Sequence, residues 1–144
     1  MANLSKTAAI VGVAESDEIG IVPGKSALMM HMEAARNALA DAGLTKDDVD
    51  GFFTAGYWNY DVAEFLGIKP TYTDSTSVGG SSFVIHVAHA IAAINAGYCK
   101  VALITHGQMG RSARAPYGRD PNLPSAQYDS PYGIIGPPVN YAMA

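Results

Sequence analysis

The chain has 144 residues, 49% of them hydrophobic and 15% charged, with a formal net charge of -4 at pH 7. Such a composition predicts a packed domain with a real core and excludes an intrinsically disordered protein. The mild negative charge argues against a nucleic-acid-binding protein, which needs a basic patch.

The single cysteine and the longest uncharged run of the sequence indicate the cellular compartment of the protein. The single cysteine, Cys99, cannot form an internal disulfide and is predicted to be buried and inert. Residues 75–98 carry two histidines, an asparagine and several serines, so we interpret the run as a buried helix behind a polar turn and not as a membrane span. The N-terminus shows no secretory signal. These features predict a cytoplasmic protein.

The first predicted elements are a strand and a long helix. Residues 7–16, TAAIVGVAES, form a short apolar run rich in β-favouring residues and predict a buried strand. After a loop with Pro and Gly, apolar side chains recur every three or four residues over residues 26–43, which predicts a helix. Ser26 is suited to cap its start and Gly43 to end it in the left-handed conformation.

Short elements follow in the middle of the chain. Thr45 is predicted to cap a short turn, and residues 51–57, GFFTAGY, to form a strand. The stretch NYDVAEFLGIKP predicts a short helix ended by Gly67, and TYTDSTS predicts an extended segment.

The last regular elements are a second long helix and a strand. The helix is predicted to begin at a cap formed by Ser81 or Ser82 and to end at Gly97. The strand lies in YCKVALITHG, whose apolar centre is typical of an interior parallel strand.

The order of these elements predicts the architecture. Strands alternating with helices predict an α/β fold with a mainly parallel sheet, helices on both faces and right-handed crossovers. We assign residues 1–107 to this α/β unit. Residues 108–144 are rich in Pro, Gly, Tyr and Ser, so we interpret them as an irregular loop or cap region. The final stretch NYAMA resembles the start of another helix, which suggests half of a larger protein.

Four stretches resemble one family when read together: AAIVGVAES, AARNALADAGLTKDDVDGFFTAG, the helix ending in FLGI, and STSVGGSSFVIHVAHAIAAINAGYCKVALITHG. From about residue 7 onward the chain resembles the N-terminal half of the thiolase superfamily, and looks most similar to its sterol-carrier, lipid-transfer (non-specific) branch. The resemblance implies two similar α/β halves stacked in five layers, a mixed sheet, a homodimer and acyl-CoA chemistry. In the family, a cysteine at the mouth of the buried helix takes the acyl group.

Two departures from the family matter. The family's cysteine aligns with Ser77, and the C-terminal half, whose histidines and second cysteine act as bases and complete the oxyanion holes, has no counterpart here. The resemblance therefore implies a complementary C-terminal half or separate subunit, in an oligomer of the dimeric thiolase type. Branches without the nucleophile cleave β-hydroxyacyl-CoA thioesters by a retro-aldol reaction with a small OB-fold partner of the DUF35 type.

Ser77 is the predicted catalytic residue. A thiol ionises readily at a helix N-terminus, but a serine hydroxyl needs an adjacent general base, and none is near it in the sequence. Three interpretations stay open: nucleophilic action of Ser77, a cysteine-independent acyl-CoA lyase or condensing activity, and a purely structural turn. Whether the serine is natural or an engineered inactivating change also stays open.

The predicted substrate-binding residues surround Ser77 and end the last strand. They are Val78, Gly79, Gly80, Ser81, Ser82 and His106. The two glycines permit positive φ and close backbone approach, and free N–H groups at a helix start suit a thioester carbonyl or an oxyanion. The alternative is that the glycines only turn the strand into the helix. His106 follows a strand at the sheet edge where ligands gather.

The remaining polar residues have structural interpretations. His86 and His89 share a helix face, but no further metal ligands accompany them, so we predict structural or dimer-contact histidines and no metal site. His31 is likewise predicted to be structural. Arg111, Arg114 and Arg119 either meet CoA phosphates or lie in a solvated loop.

Together these inferences predict a thiolase-fold protein or subunit that acts on acyl-CoA thioesters. The reaction would be Claisen-type acyl transfer or retro-aldol carbon–carbon cleavage, with the CoA thioester as substrate and no other cofactor. The alternative is a catalytically inactive thiolase-like scaffold subunit.

Overall fold

A computed structural model describes residues 6–56, 59–112, 128, 130–133 and 137–142 of the chain. The chain divides into two compact units, residues 1–112 and residues 113–144. Among the described helices, none is long and apolar enough to cross a bilayer.

A parallel sheet of three strands forms the centre of the first unit. The strands are β1 (Gly51–Thr54), β2 (Tyr72–Asp74) and β3 (Ala102–Thr105), in the order β2-β1-β3. β1 pairs in parallel with both neighbours, and all four of its residues are buried. The predicted parallel α/β sheet is confirmed.

Helices cover both faces of this sheet. They are α1 (Ala27–Ala42), α2 (Asn59–Leu66) and α3 (Ser82–Asn95). Successive residues of a strand point to opposite faces. Phe52 therefore packs with residues of α1 and α2, and Phe53 packs with Ala90 and Ala93 of α3.

The predicted ends of α1 are confirmed. The Ser26 hydroxyl oxygen accepts the Met29 N–H at 3.2 Å, and Gly43 adopts a φ of 69° just past the helix. The helical turn after Thr45 is also present, as a 3-10 helix over Lys46–Asp48. Cys99 is 3% exposed, as predicted, and burial, with a smaller contribution from Asp50, raises the pKa of its thiol.

The predicted strand over residues 7–16 is wrong, because residues 8–16 form no strand. This segment lies against α1, where a Cβ on Gly12 would come within 2.2 Å of the Ala38 carbonyl oxygen. The Val13 N–H donates to the Asp41 carboxylate at 3.0 Å. No described strand runs beside the segment, so its β-favouring residues have no ladder to join.

The predicted serine cap of α3 is also wrong. Ser81 precedes the helix with helical backbone angles and makes no side-chain cap hydrogen bond. Ser82 is the first residue of the helix and is fully buried. Gly97, with a φ of 79°, follows the end of α3 as predicted.

In the second unit, the structure describes a 3-10 helix over Ser130–Tyr132 and a helix, α4, over Pro137–Ala142. The helix predicted at the stretch NYAMA is therefore present, and it begins before that stretch, at Pro137. Arg114 and Arg119 lie outside the described residues.

Candidate functional site

The bend that carries the predicted site joins β2 to α3 and comprises residues 75–81. It starts at the carboxyl end of β2, the sheet edge at which ligands gather in α/β folds. Residues 77–81 are all exposed, and Val78 retains 54% of its surface. The bend therefore presents its peptide groups and hydroxyls to the surface of this unit.

The buried Ser82 side chain fixes the second part of the bend through hydrogen bonds to Val78 and Gly79. Its hydroxyl oxygen accepts the Val78 N–H at 3.0 Å and its hydroxyl donates to the Gly79 carbonyl at 2.6 Å. Gly79 adopts a φ of 82°, a left-handed conformation that favours glycine. The predicted positive φ occurs at Gly79 and not at Gly80.

Asp74, the last residue of β2, organises the first part of the bend. One carboxylate oxygen accepts both the N–H and the hydroxyl of Thr76, each at 2.7 Å. The other lies 2.5 Å from Nδ1 of His89. Burial opposes ionisation of Asp74, but the hydrogen bonds from Thr76 and then from His89 outweigh it and lower the pKa of the carboxyl group.

His86 contacts the same segment from a buried position. Its side chain is fully buried, and Nε2 donates to the Thr76 carbonyl oxygen at 2.9 Å. Its Nδ1 is buried and has no hydrogen-bond partner among the described residues. Both histidines of α3 thus hold the three residues that precede Ser77.

Sequence reasoning missed this part of the site. His86 and His89 were predicted to share a face, but their partners on β2 were not predicted. The available signal was an aspartate two residues before a threonine at the end of an extended segment, a spacing typical of a side chain that hydrogen-bonds its own backbone.

His106 lies at the same end of the sheet as the bend. Its ring centroid is 4.2 Å from that of Phe83, in the first turn of α3. The residue is exposed, but partial desolvation of its ring lowers the pKa of His106, against the opposing effect of a hydrogen bond with Gln108. His31 of α1 is fully buried, with Nδ1 at 2.8 Å from the Thr105 hydroxyl oxygen.

The structure does not give Ser77 a base. In the described part of the chain, no hydrogen bond joins the Ser77 hydroxyl to a histidine or a carboxylate. Nor does any group of three or more His, Cys, Asp or Glu side chains there have an arrangement that could hold a metal ion. Among the described residues, therefore, none activates the Ser77 hydroxyl as a nucleophile.

Two clefts lie in the described part of this unit. One, of about 820 Å³, lies between α2 and β2, and its lining includes Tyr60, Thr73 and Ser75, the first residue of the bend. The other, of about 420 Å³, lies between α1 and α2. Neither is lined by residues 77–82 or by His106.

Comparisons with known proteins identify relatives. No family model matches the sequence. The chain is 31% identical to the 17-hydroxy-3-oxo-4-pregnene-20-carboxyl-CoA lyase of Mycobacterium tuberculosis, in an alignment that covers 97% of this chain and 39% of the lyase. The chain therefore spans about two fifths of the length of that relative.

Two solved structures are similar as well. A Ltp2-ChsH2(DUF35) aldolase matches with a TM-score of 0.71 and 26% identity, over 94% of this chain and 37% of the aldolase chain. A monomeric SCP2-thiolase-like protein type 1 from Mycobacterium smegmatis matches with a TM-score of 0.55 and 27% identity, over 66% of this chain and 22% of that protein.

These relatives agree with the parallel α/β fold. The chain belongs to the thiolase superfamily, in its lipid-transfer thiolase branch.

Proposed function

We propose that this chain is the N-terminal part of an acyl-CoA lyase of the thiolase superfamily, which cleaves a carbon–carbon bond of a β-hydroxyacyl-CoA thioester. The observation that carries the proposal is the 31% identity to a CoA-thioester lyase over 97% of this chain. The similarity to a solved aldolase over 94% of the chain supports the same reaction class.

The chemistry suits a bend without a nucleophile. In a retro-aldol cleavage, a base takes the proton of the β-hydroxyl group, the bond between the α and β carbons breaks, and a carbonyl product leaves. The electron pair passes to the thioester as an enolate, which is then protonated at the α carbon. No covalent acyl-enzyme is needed, so a serine that lacks a base is no obstacle.

The part of the bend in this reaction is to bind the enolate oxygen. Donors at a helix N-terminus stabilise such an oxygen, because the charge develops there during the reaction. We assign this role to the peptide groups of Gly79, Gly80 and Ser81. The N–H groups of Val78 and Ser82 already donate to the Ser82 hydroxyl oxygen and to the Gly79 carbonyl oxygen, so these two residues hold the shape of the binding bend. Ser77 acts in the proposal as a hydrogen-bond donor to the thioester, and His106 lines the site from the end of β3.

The proposal includes a complementary half. Residues 10–21 carry five apolar side chains that are 63% to 74% exposed, a pattern that marks an interface. They are Ile10, Val11, Val13, Ile19 and Ile21. We propose that a C-terminal thiolase half, in the same polypeptide or in a separate subunit, covers these side chains. The resulting assembly would be an oligomer of the dimeric thiolase type. A DUF35-type OB-fold subunit would bind to it, as the similarity to the Ltp2-ChsH2(DUF35) aldolase supports.

A second candidate function is a scaffold subunit without catalysis. It is favoured by the exposed position of Ser77 and by the two clefts, neither of which is lined by residues 77–82 or by His106. The two proposals differ in whether the assembled protein binds a CoA thioester.

The test uses the full chain with its complementary half and a β-hydroxyacyl-CoA, followed by mass spectrometry of products and protein. A lyase releases a ketone or an aldehyde together with a shortened acyl-CoA, and leaves Ser77 unmodified. An acyl adduct on Ser77 would instead support acyl transfer. Absence of thioester binding by the assembled wild-type protein would overturn the lyase in favour of the scaffold.

The matched variant is Ser77→Ala. If Ser77 only donates a hydrogen bond, the variant should lose about tenfold in kcat/KM, the loss expected for one hydrogen bond. A complete loss together with a wild-type adduct would identify Ser77 as the nucleophile.

A further inference from the structure

Two histidines one turn apart on α3 hold one short segment of backbone. His86 donates from Nε2 to the Thr76 carbonyl oxygen at 2.9 Å, and His89 lies 2.5 Å from the Asp74 carboxylate through Nδ1. Asp74 in turn accepts the N–H and the hydroxyl of Thr76. Thr76 is therefore held at three of its polar groups, and the next residue is Ser77.

His86 contributes a hydrogen bond to Thr76 that an apolar side chain in the same place in the core could not make. The ring is fully buried beside Phe53 and Phe83, at centroid distances of 6.0 and 5.9 Å. Nε2 donates to the Thr76 carbonyl oxygen, whereas the buried Nδ1 has no hydrogen-bond partner in the described part of the chain. An apolar side chain would fill the same space without an unsatisfied nitrogen, so core packing alone does not explain a histidine here.

His89 acts on the other end of the segment. Its side chain is 40% exposed, whereas that of Asp74 is 13% exposed. The ionised carboxylate thus faces the protein and receives donors from both the imidazole and Thr76. Without the imidazole, one carboxylate oxygen would lose its partner and the Asp74 side chain would be less constrained.

We infer that His86 and His89 are positioning residues, which fix the course of residues 74–76 and thereby the placement of the thioester-binding bend. This inference rests on the proposed function, since it concerns the same site. It assigns the two histidines a role beyond helix packing, because the His86 bond ends on Thr76 of the bend and the His89 bond ends on Asp74, directly before the bend.

The test compares leucine variants with variants that keep the donor. A glutamine nitrogen lies near the place of a histidine Nε2, and an asparagine nitrogen near that of Nδ1, so His86→Gln and His89→Asn retain the hydrogen bonds that His86→Leu and His89→Leu remove. Asp47→Asn, which breaks the exposed pair between Asp47 and Lys46, is the control for loss of an ion pair away from the bend.

Two measurements are made on the full chain. Amide hydrogen exchange followed by mass spectrometry compares residues 76–82 with the buried strand β1. Calorimetry measures the binding of hexanoyl-CoA to the chain assembled with its complementary half.

Leucine at either position is expected to speed exchange at residues 76–82 and to leave β1 unchanged. Thioester affinity should fall roughly tenfold for each lost hydrogen bond, and the donor-keeping variants should restore both properties. Asp47→Asn should change neither property.

Unchanged exchange in both leucine variants would overturn the inference, as would faster exchange with undiminished thioester affinity. Failure of the wild-type assembly to bind hexanoyl-CoA would overturn the proposed function and this inference with it. The two failures are distinct, since one is seen in the wild type and the other only in the variants.

Discussion

At the scale of single residues, the contrast between Ser77 and Cys99 defines what the bend can do. Ser77 is exposed in front of α3, whereas Cys99 is 3% exposed behind Gly51 of β1, where a Cβ would come within 2.7 Å of the cysteine sulfur. A thiol placed in the bend would meet the helix N-terminus, which favours a thiolate.

Ser77→Cys is therefore expected to create one fast-reacting thiol. Iodoacetamide should label position 77 many times faster than Cys99, because burial protects the native thiol and raises its pKa. Peptide mapping after short exposure to the reagent measures both rates, and Ser77→Ala gives the background at Cys99. Equal labelling of both positions would contradict the exposed geometry of the bend.

His31 makes the stability of the chain depend on pH. Burial, with a smaller contribution from His106, lowers the pKa of His31 from its ordinary value of 6.5 to about 4. Between these values the unfolded chain binds more protons than the folded chain, so stability rises as pH rises from about 4 to 6.5. This pKa difference corresponds to a loss of roughly 3 kcal/mol in the free energy of unfolding at the acid end of the range.

Urea unfolding of the wild type and of His31→Asn between pH 4.5 and 7 measures this contribution. Asn keeps a polar group near Thr105 but does not titrate, so the variant should show a flatter dependence of unfolding free energy on pH. The same slope in both proteins would assign the pH dependence to other groups.

At the scale of elements, the bend between β2 and α3 depends on backbone conformation more than on packing. Gly79 and Gly80 both have open space where a Cβ would lie, but only Gly79 has a positive φ, of 82°. A side chain would clash at neither position and would be strained only at Gly79. Comparing the two positions therefore isolates the cost of backbone strain.

Gly79→Ala is expected to destabilise the chain by about 1 kcal/mol, since an alanine is strained in the left-handed region. Gly80→Ala should be neutral, or stabilising by up to about 1 kcal/mol through the entropy of the unfolded chain. Urea denaturation of both variants gives the comparison. A loss at Gly80 as large as at Gly79 would contradict the assigned conformations.

The elements also show how far the sequence predicts this structure. Periodicity and glycine stops predicted α1 and α3, because local patterns determine a helix, and the alternation of strands with helices predicted a parallel sheet. The pairing of a particular strand depends on neighbours distant in the chain, so the apolar run at residues 7–16 was predicted to be a strand although it forms none and lies against α1. For the same reason, the partners of His86 and His89 on β2 could not be predicted from spacing along α3.

At the scale of the whole molecule, the exposed apolar side chains of residues 10–21 form a surface suited to an interface. Ile10 and Val13 are each 74% exposed although the segment is held against α1. Exposed groups of this kind favour association, either with a complementary half or between copies of the isolated chain.

Ile10→Lys with Val13→Lys is expected to reduce self-association of the isolated chain and to prevent assembly with the complementary half. Phe65→Lys, which replaces an apolar residue of α2 that is 45% exposed, is the control. Sedimentation velocity of each variant, alone and with the complementary half, measures both effects. Normal assembly of the double variant would place the interface elsewhere on the molecule.

Burial divides the four histidines of the chain into two classes. His31 and His86 are fully buried, whereas His89 is 40% exposed and His106 is exposed beside Phe83. A reagent that acylates accessible imidazoles, such as diethyl pyrocarbonate, should therefore modify His89 and His106 in the folded chain and reach the other pair only after unfolding. The two accessible rings lie on different elements at the carboxyl end of the sheet, so their protection by an added thioester would map where a ligand rests.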